Sequence, residues 1–165
     1  MKKLSLLLFI AVIAAASCKK EDKCPFVDGS FSAPANERNY LKGYLASHTP
    51  PPVEDSTGVF YNVVSPGTGA TPNICSRLAV RYKGTYIPSG ISFDSTVANG
   101  TASFQLGRVI AGWQKGLPKV KEGGKITLYI PPSLAYGPND YYDNGVLVMP
   151  GNSYLKFDIE LVDVQ

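Results

Sequence analysis

The sequence predicts an α+β fold in which an antiparallel sheet of about five strands wraps around one short helix. In several short segments, apolar residues occupy every second position, which is typical of strands with one buried and one solvated face. One segment near residue 113 has apolar residues at helical spacing instead. Because a half-covered sheet needs a second layer over its apolar face, we expect this helix to provide that layer.

The strands are predicted where the two-residue alternation is regular. The last segment has the clearest pattern, because its apolar residues alternate with charged ones. The first segment is expected to stop at Pro66, because proline and glycine interrupt strands. The five predicted strands are Val59 to Ser65, Leu78 to Lys83, Ser103 to Leu106, Lys125 to Ile130 and Leu155 to Leu161.

The covering helix is predicted from three residues. Ile110, Trp113 and Leu117 recur at i, i+3 and i+7, which places them on one helical face. Pro118 follows directly and is expected to end the helix, because the residue before a proline is disfavoured in helical conformation.

A second helix is predicted within residues 18–58, which we interpret as a tether and N-terminal extension. Asn36 is expected to cap a helix that runs to about Ser47. This helix should pack on the main domain rather than bind a partner. Pro50 to Pro52 then predict a stiff, extended linker, beside which His48 should face solvent. The apolar stripe of the helix is Tyr40, Leu41, Tyr44 and Leu45.

Residues 1–17 have the features of a signal peptide. Two lysines precede the apolar run Leu4 to Ala16, which is too short to span a bilayer comfortably, and small residues precede Cys18. This arrangement resembles the cleavage site of bacterial lipoproteins, although Ala15 stands where that site more often has leucine. The resemblance implies that Cys18 is acylated and anchors the protein to a bacterial envelope membrane. We expect the outer membrane, on its periplasmic or surface side; ordinary secretion is the alternative.

The charge balance excludes one class of partner. Removing Lys2 and Lys3 with the signal brings the 16 basic and 13 acidic residues close to balance. Nucleic-acid-binding proteins normally carry a basic patch, so we expect no nucleic-acid partner.

Two cysteines remain once Cys18 is assigned to lipid. Cys24 and Cys75 would lie in an exported protein, where disulfides persist. A bridge would tie the N-terminal extension to the main domain. Two free buried thiols are equally compatible with the sequence.

Residues 59–165 carry a set of short motifs that resembles the FKBP-type peptidyl-prolyl isomerases. The motifs are VRYKG (Val80 to Gly84), SFD (Ser92 to Asp94), SFQLG (Ser103 to Gly107), VIAGW (Val109 to Trp113), AYG (Ala135 to Gly137) and MPGNSYLKFDIEL (Met149 to Leu161). The resemblance implies a strongly curved sheet around one helix and an isomerase domain spanning residues 59–165. It also implies proline-containing polypeptides of the cell envelope as substrates, macrolide immunosuppressants as inhibitors, and no cofactor.

The resemblance implies roles for ten residues. Trp113 would form the floor under the proline ring, and the Ile110 backbone N–H would bind a substrate carbonyl. Asp94 would interact with the twisting amide or orient Tyr82, and the Tyr136 hydroxyl would donate to a peptide carbonyl. The remaining walls would be Phe93, Phe104, Val109, Met149 and Phe157.

Two features depart from the family pattern. Ala102 stands where many members have an aromatic residue, so one pocket wall is expected to be missing or supplied elsewhere. The segment 138–147 is longer than in compact members and is expected to form a loop over the pocket. These departures keep a second function open, namely a proline-binding chaperone or scaffold with little turnover. A purely structural envelope lipoprotein ranks third, and the short extension favours a monomer.

Other chemistries lack the residues they need. A single histidine, His48, cannot support a His-rich metal site or a Ser-His-Asp triad. Gly67 and Gly69 lack the lysine of a phosphate-binding loop. Asp140 and Asp143 lack the spacing and final glutamate of a calcium-binding loop, and they predict a turn.

Overall fold

The computed structural model describes residues 24–98 and 100–165. Its helices are α1 (Ala35–Leu45) and α2 (Ala111–Gly116), with short 3₁₀ turns at Leu106–Arg108, Leu117–Lys119 and Pro132–Leu134. Its strands are β1 (Val53–Glu54), β2 (Phe60–Ser65), β3 (Arg77–Ile87), β4 (Ser92–Ser95), β5 (Ala102–Gln105), β6 (Lys125–Ile130), β7 (Tyr141–Asp143), β8 (Val146–Met149) and β9 (Tyr154–Val164).

The main sheet is antiparallel and has the order β1-β2-β6-β9-β3-β4, with β5 also paired to β3. The α+β class and the antiparallel sheet are therefore confirmed. The described part of the chain contributes seven strands to this sheet rather than about five. Strand β1 was not predicted because it has only two residues, and β4 was not predicted because Phe93 is its one large apolar residue, so neither displays a two-residue alternation.

The inner face of the sheet packs against α2, as expected. Leu128, Ile130 and Phe157 join Trp113 and Leu117 in one buried cluster. Glycines permit the close contact between the two layers. A Cβ atom added at Gly112 would lie 2.4 Å from Ile130, and one added at Gly116 would lie 2.5 Å from Leu128. The helix can therefore lie directly on β6, and this contact fixes the position of Trp113.

The outer face of the sheet is covered at one end by α1. Leu41 and Leu45 pack with Phe60, Ile87 and Tyr129 in a second buried cluster. Docking of this helix on the domain was predicted and is confirmed. The expectation of one fully solvated sheet face is wrong here, because α1 buries the Tyr129 side of β6.

The first residue of α1 differs from the prediction. The helix begins at Ala35, and Pro34 rather than Asn36 precedes its first turn. Pro34 has φ −65° and an extended ψ, and its carbonyl accepts the first helical hydrogen bond from Arg38 N–H at 3.2 Å. Proline is suited to the start of a helix because its φ is already fixed there.

His48 is half-buried, so its expected exposure to solvent is wrong. Its backbone N–H donates to the Leu45 carbonyl at 3.0 Å, which turns the chain back over the end of α1. The imidazole then lies 5.5 Å from the Tyr44 ring and 5.8 Å from the Tyr129 ring, measured between centroids.

The segment after His48 connects the extension to the sheet. Val53 and Glu54 pair with β2, so the extension contributes a strand to the domain. The Glu54 carboxylate accepts a hydrogen bond from Arg38 at 2.6 Å and forms an ion pair with Lys42 at 2.9 Å. Both cations lie on α1, so these contacts hold the helix against β1.

Segment 138–147, predicted as a loop, contains most of a two-stranded hairpin of β7 and β8. Asn144 and Gly145 form its turn with positive φ values of 48° and 79°. Asparagine and glycine tolerate that conformation, and the Asn-Gly pair favours tight hairpin turns.

The N-terminal end of the described chain lies beside the domain. Cys24 and Cys75 have Cα atoms 5.7 Å apart, within the usual range for disulfides, and their sulfur atoms are paired. The predicted signal peptide 1–17 and the lipid site Cys18 lie outside the described residues. No helix within the described ranges is long and apolar enough to cross a membrane.

Candidate functional site

A cavity of about 280 Å³ opens between α2, the strands β3, β4, β5 and β9, and the segment that leads from β5 into α2. Apolar and aromatic side chains dominate its lining, and the described residues contribute one carboxylate and one guanidinium as charged groups. The lining residues are Tyr82, Asp94, Phe104, Arg108, Val109, Ile110, Trp113, Tyr136 and Phe157.

Trp113 lies at the centre of an aromatic cluster that forms the base of the cavity. Its side chain is 4% exposed. The rings of Tyr82, Phe104 and Phe157 surround it in edge-to-face geometry, with centroid distances of 5.4, 5.7 and 5.3 Å. Edge-to-face contacts are favoured because the positive ring edge meets the negative ring face. Three strands and α2 therefore hold one rigid aromatic surface.

The polar pair of the cavity is Tyr82 and Asp94. The Tyr82 hydroxyl donates to Asp94 Oδ2 at 2.5 Å. Their strands are neighbours, since Gly84 of β3 pairs with Asp94 of β4. Burial raises the pKa of Tyr82, and the hydrogen bond to the Asp94 carboxylate raises it further. Tyr82 therefore remains a protonated hydrogen-bond donor at neutral pH.

The segment Val109–Ile110 forms another edge of the cavity. The Gln114 side-chain amide donates to the Val109 carbonyl at 2.7 Å, which fixes the peptide just before α2. The Ile110 carbonyl accepts hydrogen bonds from the N–H groups of Trp113 and Gln114 in the helix, at 3.0 and 3.2 Å. The Ile110 N–H itself donates to no other described residue. It is therefore available to a ligand carbonyl.

Tyr136 lies at the mouth of the cavity and follows the turn Pro132–Leu134. Its side chain is 46% exposed. Burial of the rest of the ring raises the pKa of Tyr136, and the negative charge of Asp94 raises it further. Like Tyr82, it presents a hydroxyl rather than a phenolate at neutral pH.

Eight of the ten residues assigned from the sequence line this cavity, and two do not. Phe93 lies behind the wall, where its ring contacts Phe157 at a centroid distance of 5.6 Å. Gly84 makes room for it, since an added Cβ there would lie 2.6 Å from the Phe93 ring. Met149 is 2% exposed and belongs to the core. Both therefore support lining residues rather than form the cavity surface.

Sequence reasoning missed Arg108 and Gln114. Arg108 precedes the lining pair Val109–Ile110, but an arginine in a turn carries no distinctive pattern. Ala102 is not part of the lining and pairs with Val80 in the sheet. In the described ranges 24–98 and 100–165, no group of three or more His, Cys, Asp or Glu side chains could hold a metal ion.

The chain is similar in sequence to a known protein family and to several of its members. Residues 69–162 match the family of FKBP-type peptidyl-prolyl cis-trans isomerases. The FkpA isomerase of Escherichia coli K12 is 48% identical over 111 residues, which are 67% of this chain and 39% of FkpA. A probable FKBP-type isomerase of Haemophilus influenzae is 41% identical over 109 residues, covering 66% of this chain and 43% of that protein. The chain thus spans less than half the length of these relatives.

Solved structures show the same fold. The crystal structure of E. coli FkpA superimposes with a TM-score of 0.67 at 42% identity, covering 79% of this chain and 58% of that one. A peptidyl-prolyl cis-trans isomerase from Pseudomonas syringae also gives a TM-score of 0.67, at 32% identity, with 81% and 98% covered. The chain belongs to the FKBP-type peptidyl-prolyl cis-trans isomerase family.

Proposed function

We propose that this protein catalyses cis–trans isomerisation of X-Pro peptide bonds in exported polypeptides. The observation that carries the proposal is the cavity above Trp113, whose lining is dominated by aromatic and apolar side chains and includes the hydrogen-bonded pair Tyr82 and Asp94. The family membership supports the same reaction. The reaction makes and breaks no covalent bond, so it requires neither a nucleophile nor a metal.

The physical demand of the reaction fits an apolar site. Rotation about the amide C–N bond removes its resonance, with an uncatalysed barrier of about 18–20 kcal/mol. In the twisted amide, the carbonyl is less polar than in the planar amide. Moving the substrate from water into an apolar cavity therefore costs the planar form more than the twisted form. The difference lowers the barrier to rotation.

Individual residues would contribute positioning. The proline ring would lie on Trp113, between Tyr82 and Phe157. The Ile110 N–H would hold a substrate carbonyl, and the Tyr136 hydroxyl would donate to a second one. Fixing both carbonyls leaves the X-Pro bond as the rotatable element between two held ends. Asp94 would hold Tyr82 in place and face the twisting amide.

Exchange spectroscopy by NMR tests the activity directly. The soluble protein from residue 19 is mixed with a short peptide containing one Leu-Pro bond. We expect the cis–trans exchange rate to rise in proportion to protein concentration, and an unlabelled Leu-Pro peptide should compete where Leu-Ala does not. A folded protein that leaves the exchange rate unchanged would contradict the proposal.

A second function is a proline-binding chaperone with little turnover. The β7–β8 hairpin favours it, because Tyr141, Tyr142, Val146 and Leu147 are all exposed. Peptide binding measured by Trp113 fluorescence distinguishes the two functions. Binding without any acceleration of exchange would establish the chaperone; binding with acceleration would establish the enzyme.

The cellular setting is part of the same proposal. The signal-like residues 1–17 and the following cysteine support export and acylation of Cys18, with an anchor in the outer membrane. The partners would be proline-containing envelope polypeptides, the protein would be a monomer, and macrolide immunosuppressants would compete for the cavity. Cys18→Ser should move the protein from the membrane to the soluble fraction; unchanged fractionation would contradict the anchor.

A further inference from the structure

The N-terminal segment of residues 24–29, which we call the strap, lies against the turn that leads into the cavity. It is held at both ends. Cys24 is paired with Cys75, and the Lys115 ammonium forms an ion pair with Asp28 and donates to the Gly29 carbonyl at 2.7 Å. The residues between these two attachments are therefore confined to one path over the domain.

Phe26 is the residue of the strap that contacts this turn. A Cβ atom added at Gly107 would lie 2.2 Å from the Phe26 ring, so the ring packs directly on the bare glycine backbone. Any side chain at position 107 would displace it. The turn Leu106–Arg108 is consequently covered by an aromatic ring from outside the matched family region, which begins at residue 69.

Arg108 follows Gly107 and meets the same ring. Its guanidinium carbon lies 5.9 Å from the Phe26 centroid, within the range of cation–π contacts. The side chain also lines the cavity. The strap therefore holds the Arg108 cation against Phe26, and Arg108 itself borders the cavity two residues before the Ile110 N–H.

The charge of Arg108 is uncompensated among the residues that the structure describes. No carboxylate in ranges 24–98 and 100–165 lies within salt-bridge distance of it. Among the described residues, Asp94 supplies the only carboxylate of the cavity lining, and its Oδ2 accepts a hydrogen bond from the Tyr82 hydroxyl. A cation that no described carboxylate pairs with favours an anionic ligand group, whereas the Asp94 carboxylate repels one.

We propose that Arg108 is a specificity-determining residue, which makes the cavity prefer X-Pro segments with an acidic side chain next to the proline. This inference rests on the proposed isomerase function, since it names the substrate class of the same cavity. Phe26 is a positioning residue, which acts through Arg108. An exposed ion pair changes a rate constant by about two- to fivefold, so the expected preference is of that size.

The test compares peptides that differ only in Glu or Gln, placed either directly before or directly after the proline. For the wild-type protein, the ratio of kcat/KM for Glu over Gln should be about two to five at one of these positions, and it should fall as salt rises. Arg108→Gln should bring the ratio to about one, and Arg108→Lys should largely keep it. Phe26→Leu, which retains an apolar side chain without the ring, should lower it.

The matched control is Lys121→Gln, which removes an exposed positive charge outside the cavity lining. It should leave the ratio at the wild-type value. A wild-type ratio of one or less at both positions, or a ratio that Arg108→Gln leaves unchanged, would overturn the inference.

A fluorescence titration of Trp113 with the same peptides separates this inference from the proposed function. If neutral peptides are not isomerised, the proposed isomerase fails. The preference is then read from the Kd values, and a Glu over Gln preference that disappears in Arg108→Gln would still support the role of Arg108. Equal binding of both peptides, or binding of neither, would overturn it.

Discussion

The Tyr82 hydroxyl donates a 2.5 Å hydrogen bond to Asp94 across the pairing of β3 and β4, and both side chains border the cavity. This bond fixes the position of the Tyr82 ring, which lies edge-to-face against Trp113 at 5.4 Å. The Asp94 carboxylate, which is the charged group of this pair, thus orients the Tyr82 ring that forms one wall of the cavity. The relationship predicts how changes at either residue affect rate, pH dependence and stability.

Tyr82→Phe, which keeps the aromatic ring but removes the hydroxyl that orients it, should lower kcat/KM for X-Pro isomerisation. A hydrogen bond to a charged partner is worth about 1.5–3 kcal/mol, but Asp94 is exposed, so we expect a loss of about three- to tenfold rather than more. The measurement is exchange kinetics for the single variants and the double variant Tyr82→Phe/Asp94→Ala. The two changes should be markedly non-additive, because they break the same bond. Additive losses would show that the residues act independently.

The raised pKa of Tyr82 predicts a loss of stability in alkaline solution. Burial and the Asp94 hydrogen bond put its folded pKa above the unfolded value of about 10. The stabilisation is therefore complete below the unfolded pKa and is lost as the pH rises towards the folded pKa. Urea unfolding at pH 9 and pH 11 should show a larger fall for the wild type than for Tyr82→Phe. Equal falls would contradict this account, since the other tyrosines are common to both proteins.

Gly116→Ala should destabilise the fold because α2 lies directly on β6. The new methyl group would lie 2.5 Å from the fully buried Leu128, and overpacking of this kind costs about 1–3 kcal/mol. The matched control is Gly43→Ala in α1, where an added Cβ meets nothing within 4 Å. That change should stabilise the protein by about 0.5–1 kcal/mol, because alanine favours helix. Chemical unfolding measures both, and a neutral Gly116→Ala would contradict the close packing.

The lowered pKa of Glu54 predicts that the protein loses stability in acid. Burial raises its pKa, but hydrogen bonds from Lys42 and Arg38 outweigh that effect, and the net shift is downward. The stabilisation is thus present above the usual pKa of 4.5 and is lost as the pH falls through the lower folded value. Glu54→Gln should lower the free energy of unfolding by about 1 kcal/mol at pH 7. The difference from wild type should shrink towards pH 3; a constant difference would argue against the ion pairs.

Pairing of Cys24 with Cys75 predicts that reduction destabilises the domain. Closing a long loop stabilises a protein by about 2–4 kcal/mol, and the two residues are 51 positions apart. Cys24→Ser/Cys75→Ser should lower the free energy of unfolding by that amount. Dithiothreitol should have the same effect on the wild type and none on the double variant. Equal stability with and without reductant would indicate free thiols.

The sheet was largely predictable because, in most of its strands, the residues that are buried are the apolar ones that recur at every second position. In β9, Leu155, Phe157, Ile159 and Leu161 alternate with less buried residues, as expected. In β6 the prediction was correct for Ile126, Leu128 and Ile130, but the outer residue Tyr129 is also buried. Only the docking of α1 explains that, and docking between segments distant in sequence leaves no local signal.

The motifs in the sequence predicted most of the residues that line the cavity. They did not show which residues pack behind the lining and hold it in place. Phe93 and Met149 belong to the same motifs as the lining residues, and only the packing shows that they lie behind the surface. Arg108 and Phe26 are 82 positions apart, so their contact has no sequence pattern. The hairpin turn could have been predicted, because Asn144-Gly145 is the pair that tight turns prefer.

The central claim is that the protein catalyses cis–trans isomerisation of X-Pro peptide bonds in the cavity that Asp94 borders. The measurement that tests it most directly is the cis–trans exchange rate of a Leu-Pro peptide with wild type, Asp94→Ala and Asp163→Ala, a carboxylate variant outside the cavity lining. We predict acceleration by the wild type and by Asp163→Ala, and a loss of about tenfold in Asp94→Ala. Equal acceleration by all three folded proteins would place the activity elsewhere, and no acceleration by any of them would contradict the isomerase.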